Sequence, residues 1–180
     1  MNLFEAMSVE GHEQIVHFSD PGSALKCIVG IHSTALGPAL GGLRMWTYAR
    51  EADAERDVLE SSRAMTYKTA LAGLNLGGGK AVIVGDPEKD KSEALLRALG
   101  RFIDSLGRRF IVTDDVGTNV NDMDCIREET PHVLGVHPVH GGSGDPSAFT
   151  ALGTLHGIRA CLERRFGHEE IARASYAVQG

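Results

Sequence analysis

Short β-branched runs alternate with longer stretches of helical periodicity in this chain. That alternation constrains the fold most, because one backbone cannot satisfy a two-residue and a 3.6-residue period together. Residues 13–18 (Glu-Gln-Ile-Val-His-Phe) and 25–32 (Leu-Lys-Cys-Ile-Val-Gly-Ile-His) read as adjacent strands, parted by the turn chemistry of Ser19-Asp20-Pro21-Gly22. From Glu51 the period changes: Val58, Leu59, Ser62 and Met65 recur at helical spacing, with Glu51, Asp53, Glu55, Asp57 and Glu60 mainly on the polar side. Ala81-Val82-Ile83-Val84 predicts a buried strand, followed by a helix over about 91–106 with Asp90 and Glu93 spaced as a capping box. Phe110-Ile111-Val112-Thr113 is the next strand, and residues 119–129 read as a further helix. The class is α/β, a sheet flanked by helices with parallel pairing where crossovers occur.

The loop Gly141-Gly142-Ser143-Gly144 reads as a hinge before a helix over about 146–166, with Asp145 as N-cap and Pro146 at its first position. Residues 1–145 are then one domain, and 146–180 a connecting helix and a strand leading into another. The final Tyr176-Ala177-Val178-Gln179-Gly180 is an apolar run arriving at a glycine, as a dinucleotide-binding strand and turn begin. A short final strand is the plainer reading of those five residues.

Composition narrows the function classes. Of 180 residues 23% are charged and 42% hydrophobic, as in an ordinary globular protein, and a net charge of -6 with scattered Lys and Arg argues against a nucleic-acid footprint. Cys27, Cys125 and Cys161 are odd in number and widely spaced, which favours reduced thiols over a disulfide framework. The start has no basic region ahead of an apolar one, and no stretch approaches the length of a membrane span, so a cytoplasmic protein is expected.

Two lysines stand out. Lys68 extends the helix stripe, which directs its ammonium inward, although most lysines are solvated. Lys80 follows Gly77-Gly78-Gly79 and precedes an apolar strand. Those glycines permit close backbone approach or positive φ, and the plain alternative is a glycine-rich turn with a surface lysine. A phosphate loop fails, because Leu74 and Ala81 occupy positions that need glycine and Ser or Thr. Asp114-Asp115-Val116-Gly117-Thr118 follows a strand end, where α/β sheets present chemistry. Asp122, Asp124, Glu128 and Glu129 read as a solvated helix face, and His132, His137 and His140 match no ligand pattern, so no metal is expected.

Taken together, Gly41-Gly42-Leu43-Arg44-Met45, Ala64-Met65-Thr66-Tyr67-Lys68, Gly73-Leu74-Asn75-Leu76-Gly77-Gly78-Gly79-Lys80-Ala81 and Asp114-Asp115-Val116-Gly117-Thr118 resemble the Glu/Leu/Phe/Val amino-acid dehydrogenase family, most of all its leucine branch. The resemblance implies an amino-terminal substrate-binding and oligomerisation domain, with NAD (or NADP) held mainly by a following Rossmann domain. It implies Lys80 and Asp115 as catalytic residues. Lys68 would hold the substrate carboxylate, Gly41 and Gly42 would line the site, and Leu40 and Thr113 would touch the substrate side chain. Thr113 departs from the small apolar residue usual in leucine-type members. Thr150 would lie near the nicotinamide, and Gly180 would open the nucleotide-binding turn. The implied partners are an L-amino acid and its 2-oxo acid, in a homo-oligomer. A non-catalytic oligomerisation module or an amino-acid sensor of the same ancestry is the alternative.

Overall fold

The structure is a computed structural model that describes residues 3–178. Contacts divide the chain after Gly144 into two compact units. The first begins with α1 (Leu3–Glu10) and is built on a sheet of β1 (Gln14–Asp20), β2 (Leu25–Ser33), β3 (Ala39–Trp46), β4 (Gly77–Val84) and β5 (Phe110–Asp114). The helices α2 (Glu51–Leu71), α3 (Glu93–Ser105) and α4 (Val120–Arg127) complete it. The strand order is β1-β2-β4-β3-β5, with β1, β2 and β4 successively antiparallel and β3 parallel to both β4 and β5.

Alternation along the strands sorts side chains to two faces. Ala39, Leu43, Met45, Ala81, Ile83, Phe110 and Val112 join Leu95, Leu99 and Ile103 of α3 and Met123 and Ile126 of α4 in the larger core. On the other face Ile28 and Val82 pack against Ala54 and Val58 of α2. Leu40, Gly42, Arg44, Lys80 and Thr113, out of phase with the first set, therefore share the α2 face.

Several elements differ from the sequence reading. No strand was expected over 39–46 and no helix over 3–10. The helix α3 begins at Glu93 with Ser92 as N-cap, its side chain accepting from Leu95 N at 3.2 Å. Asp90 instead accepts from the Asp86 amide at 2.8 Å, so it closes the preceding turn. Asp122 is not on a solvated face: it is 7% exposed, completes a capping box with Asn119 and accepts from Lys91 Nζ at 2.8 Å. Gly77–Gly79 are strand, not turn, and none of the three takes positive φ. Their lack of side chains serves close approach. A Cβ on Gly78 would stand 2.1 Å from Thr66 N of α2, and one on Gly79 would stand 2.6 Å from the Phe110 ring. Packing, and not conformational freedom, requires glycine there.

The imidazole of His12 anchors α2 from below, its Nε2 lying 3.0 Å from Leu59 O and 3.1 Å from Ser62 Oγ. His32 Nδ1 lies 2.8 Å from Thr66 Oγ1, and the two rings meet edge to face with centroids 4.8 Å apart.

The second unit holds α5 (Ser147–Phe166) and a 3-10 turn at Ile171–Arg173. Pro146 occupies the cap position, one residue later than expected, while Asp145 accepts from the Ser147 amide at 2.8 Å. Gly167, at φ 73, ends the helix in the left-handed region, where glycine is favoured. Residues 176–178 are not a strand, contrary to expectation, and Gly180 lies outside the described residues. Cys27 is buried, Cys125 half-buried and Cys161 exposed, all as free thiols. No described helix is long and apolar enough to cross a membrane.

Candidate active site

Parallel strands β3 and β5 run side by side, with Gly42 opposite Thr113 and Leu43 opposite Asp114. The chain beyond β5 turns at Asp115, whose amide donates to Thr118 Oγ1 at 3.0 Å, and that hydroxyl in turn donates to Leu43 O at 2.8 Å. The turn is thereby pinned to β3. Gly42 makes room for it, since a Cβ there would lie 2.9 Å from Asp115 Cβ.

Lys80 sits within β4, opposite Gly30 of β2, and is only 5% exposed. It is neither at a strand edge nor on the surface. Its Nζ donates to Asp115 Oδ2. Burial pulls the Lys80 ammonium below the usual lysine range; the Asp115 carboxylate opposes that pull and the Arg44 guanidinium adds to it. Burial pushes Asp115 upward, but the bond and charge of Lys80, helped by Arg44, outweigh it and hold the carboxyl below its ordinary value. Asp115 is thereby held as a carboxylate beside a lysine that releases its proton more readily than a solvated one.

Arg44 completes the constellation. Its NH2 lies 3.3 Å from the same Asp115 Oδ2 that Lys80 contacts. Its NH1 donates to both oxygens of Asp57 on α2, at 2.9 and 2.7 Å. Asp57 also accepts from Tyr48 Oη, and from Ser61 Oγ at 2.8 Å. Burial tends to raise Asp57, but the three donors hold it below the ordinary carboxylate value. In sequence Asp57 belonged to the polar side of its helix and Arg44 was only part of a motif. The alternation that puts Arg44 on the α2 face was hidden by Gly41 and Gly42, which interrupt the strand signal.

The remaining residues singled out in the sequence are placed as follows. Leu40 is half-buried in β3, and Thr113 is half-buried in β5 with its Oγ1 donating to Asp114 Oδ1 at 3.1 Å. Gly41 is buried where a Cβ would come within 2.3 Å of the Gly79 backbone. Lys68 occupies the last turn of α2 and is exposed, contrary to the inward direction expected. The buried stripe runs through Ala54, Val58, Ser62 and Thr69, which leaves Lys68 beside it. Thr150 is exposed on the first turn of α5 in the second unit. No group of three or more His, Cys, Asp or Glu among the described residues is arranged to hold a metal ion.

Residues 12–132 match the family model described as "Glu/Leu/Phe/Val dehydrogenase, dimerisation domain". The chain is 54% identical over its full length to a leucine dehydrogenase from Thermoactinomyces intermedius, covering 49% of that protein. It is 52% identical over 94% of its length to a valine dehydrogenase from Streptomyces virginiae, covering 48% of it. The crystal structure of an L-tryptophan dehydrogenase from Nostoc punctiforme superposes with a TM-score of 0.75 at 41% identity, over 94% of this chain and 47% of that one. The chain thus spans about half the length of the relatives it matches.

Proposed function

The chain belongs to the Glu/Leu/Phe/Val dehydrogenase family, and from that premise we propose that it is the substrate-binding half of an NAD-dependent L-amino-acid dehydrogenase. The reaction is the reversible oxidative deamination of a branched-chain or apolar L-amino acid to its 2-oxo acid and ammonia. One observation carries this reading: a buried lysine paired with an aspartate, at the end of parallel strands, on the face that also presents Leu40, Gly42 and Thr113.

The pair suits the proton transfers of that reaction. Asp115 takes a proton from the substrate ammonium before oxidation at Cα. Lys80, once its ammonium has released a proton to solvent, takes a proton from the water that attacks the substrate iminium. Asp115 returns its proton to the carbinolamine nitrogen, and as the C–N bond breaks and ammonia leaves, the hydroxyl proton passes to solvent and the C=O bond forms. Lys68, exposed at the end of α2, offers the cation for the substrate carboxylate. The nicotinamide cofactor, NAD with NADP also open, would supply the hydride acceptor. The described residues do not form its site, since Thr150 is a lone exposed hydroxyl and residues 176–178 form no strand or glycine turn.

A homo-oligomer belongs to the same reading, supported by the family description of the matched region as a dimerisation domain, and a cytoplasmic location is proposed with it. The alternatives of a non-catalytic module or a sensor draw no support from relatives named as dehydrogenases. The test is an NMR titration of this chain with L-leucine, its 2-oxo acid and L-glutamate. The apolar ligands should perturb the amides of Gly41, Gly42 and Thr113, and Lys68→Ala should weaken that binding. Perturbations confined to another surface, or none at all, would remove the substrate assignment.

A further inference from the structure

The strongest unassigned feature of the molecule is the brace behind the Lys80–Asp115 pair. Arg44 is a permanent cation whose two terminal nitrogens reach different carboxylates: NH1 grips Asp57 and NH2 reaches Asp115 Oδ2 at 3.3 Å. Asp57 is held in turn by Tyr48 and Ser61, so the guanidinium is anchored from α2 and from the end of β3 at once. Arg44 Nε is buried with no protein partner among the described residues, so the guanidinium is held through its two terminal nitrogens.

We propose that Arg44 is a positioning residue of this centre: braced by Asp57, Tyr48 and Ser61, it holds the Asp115 carboxylate in place and keeps a fixed positive charge beside Lys80. The inference rests on the reading of Lys80 and Asp115 as the reacting pair. Its physical content is that Lys80 shares its counter-ion. Asp115 Oδ2 serves two cations, so the lysine receives only part of the carboxylate's stabilisation and feels the repulsion of Arg44 as well. Asp57 acts in the opposite sense, since its negative charge offsets Arg44 and favours the charged lysine. Asp115, Arg44 and Asp57 are the charged groups that act on Lys80 most strongly, and burial between β2, β3 and α2 acts with Arg44. The arrangement makes a lysine able to lose its proton while an ionised aspartate stays beside it, as a base paired with an acid-base carboxylate requires.

The experiment is an NMR titration of the Lys80 Cε and Nζ resonances in the 180-residue chain, assigned with Lys80→Arg, in three variants. In Arg44→Gln the Lys80 midpoint should move up, because the repelling charge is gone and Asp115 serves one cation. In Arg44→Lys, which keeps the charge, it should return toward the parent value. In Asp57→Asn it should move down, because Arg44 is no longer offset. The opposite signs exclude a merely structural role, since a loosened, wetter site would move Lys80 upward in every variant. An unchanged or lowered midpoint in Arg44→Gln, or an upward shift in Asp57→Asn, would overturn the proposal. If Arg44→Gln does not fold, the other two variants decide by the same criteria. Turnover is not used, so a protein that oxidised no amino acid would refute the proposed function and leave these shifts to judge Arg44.

Discussion

Replacing Gly78 with alanine drives a methyl group into the backbone of α2. The added Cβ would stand 2.1 Å from Thr66 N, 2.2 Å from its Oγ1 and 2.5 Å from its Cα, whereas ordinary contact begins at 3.4 Å. The hydroxyl can rotate away, but the amide and Cα cannot, so the helix must lift from β4 by about 1 Å. Overpacking of this kind costs about 1–3 kcal/mol, and a gap of that width forfeits roughly a quarter to a half of each lost contact. Because Ala54 and Val58 of the same helix pack on Ile28 and Val82 of the sheet, we expect the upper end, about 3 kcal/mol. With a urea slope of about 2 kcal/mol/M, the unfolding midpoint should fall by roughly 1.5 M. Trp46, the sole tryptophan, lies at the end of β3 and reports the sheet by fluorescence. As a control, Gly153 in α5 has nothing within 4 Å of an added Cβ, and Gly153→Ala should stabilise its helix by about 0.5–1 kcal/mol. A Gly78→Ala midpoint within about 0.3 M of the parent would show that close packing is not why glycine stands there.

Two other outcomes follow from the same geometry. Burial lowers the pKa of His12, so below its unfolded value of about 6.5 the unfolded chain binds a proton that the folded one resists. Stability should therefore fall as the pH drops from about 7 toward 5. Asp115 and Asp57 have depressed folded values, so their contributions persist until the pH falls through the lower carboxylate range. His12→Gln should flatten the slope between pH about 7 and 5 in urea titrations, and an unaltered slope would assign it elsewhere. Asp122→Ala removes both the α4 capping box and the partner of Lys91, and should cost about 2 kcal/mol by the same fluorescence assay; a cost near zero would mean that the box and pair contribute nothing.

The parts of the fold that the sequence made legible are those in which one periodicity runs without interruption. β1 and β2 are short β-branched runs on either side of Pro21-Gly22, and α2 begins at Glu51 where the acidic residues start. β3 was invisible because Gly41 and Gly42 remove two side chains from an eight-residue strand, and both glycines answer to neighbours distant in sequence. The same cause turned Gly77–Gly79 from strand into apparent turn. Lys80 and Asp115 could be named from motifs, but their pairing depends on the β3–β4–β5 order, which no local pattern encodes. Lys68 was assigned inward because a stripe at 58, 62 and 65 extrapolates to 68. The sheet instead meets α2 along 54, 58, 62 and 69, a choice made by packing against the glycines of β4. The pairing of Arg44 with Asp57 had no sequence signal, since an ion pair across strand and helix appears only when the two are superposed.

The central claim is that Lys80 and Asp115 form the reaction centre of an amino-acid dehydrogenase. Reduction of the nicotinamide cofactor by L-leucine, followed by absorbance in a protein that carries this chain together with a dinucleotide-binding domain, tests it most directly. Activity should be present in the parent and lost by at least about a hundredfold in kcat for Lys80→Ala, the lower bound for removing a general base. Lys68→Ala should act mainly on KM. A Lys80→Ala enzyme that turns over at the parent rate would contradict the account.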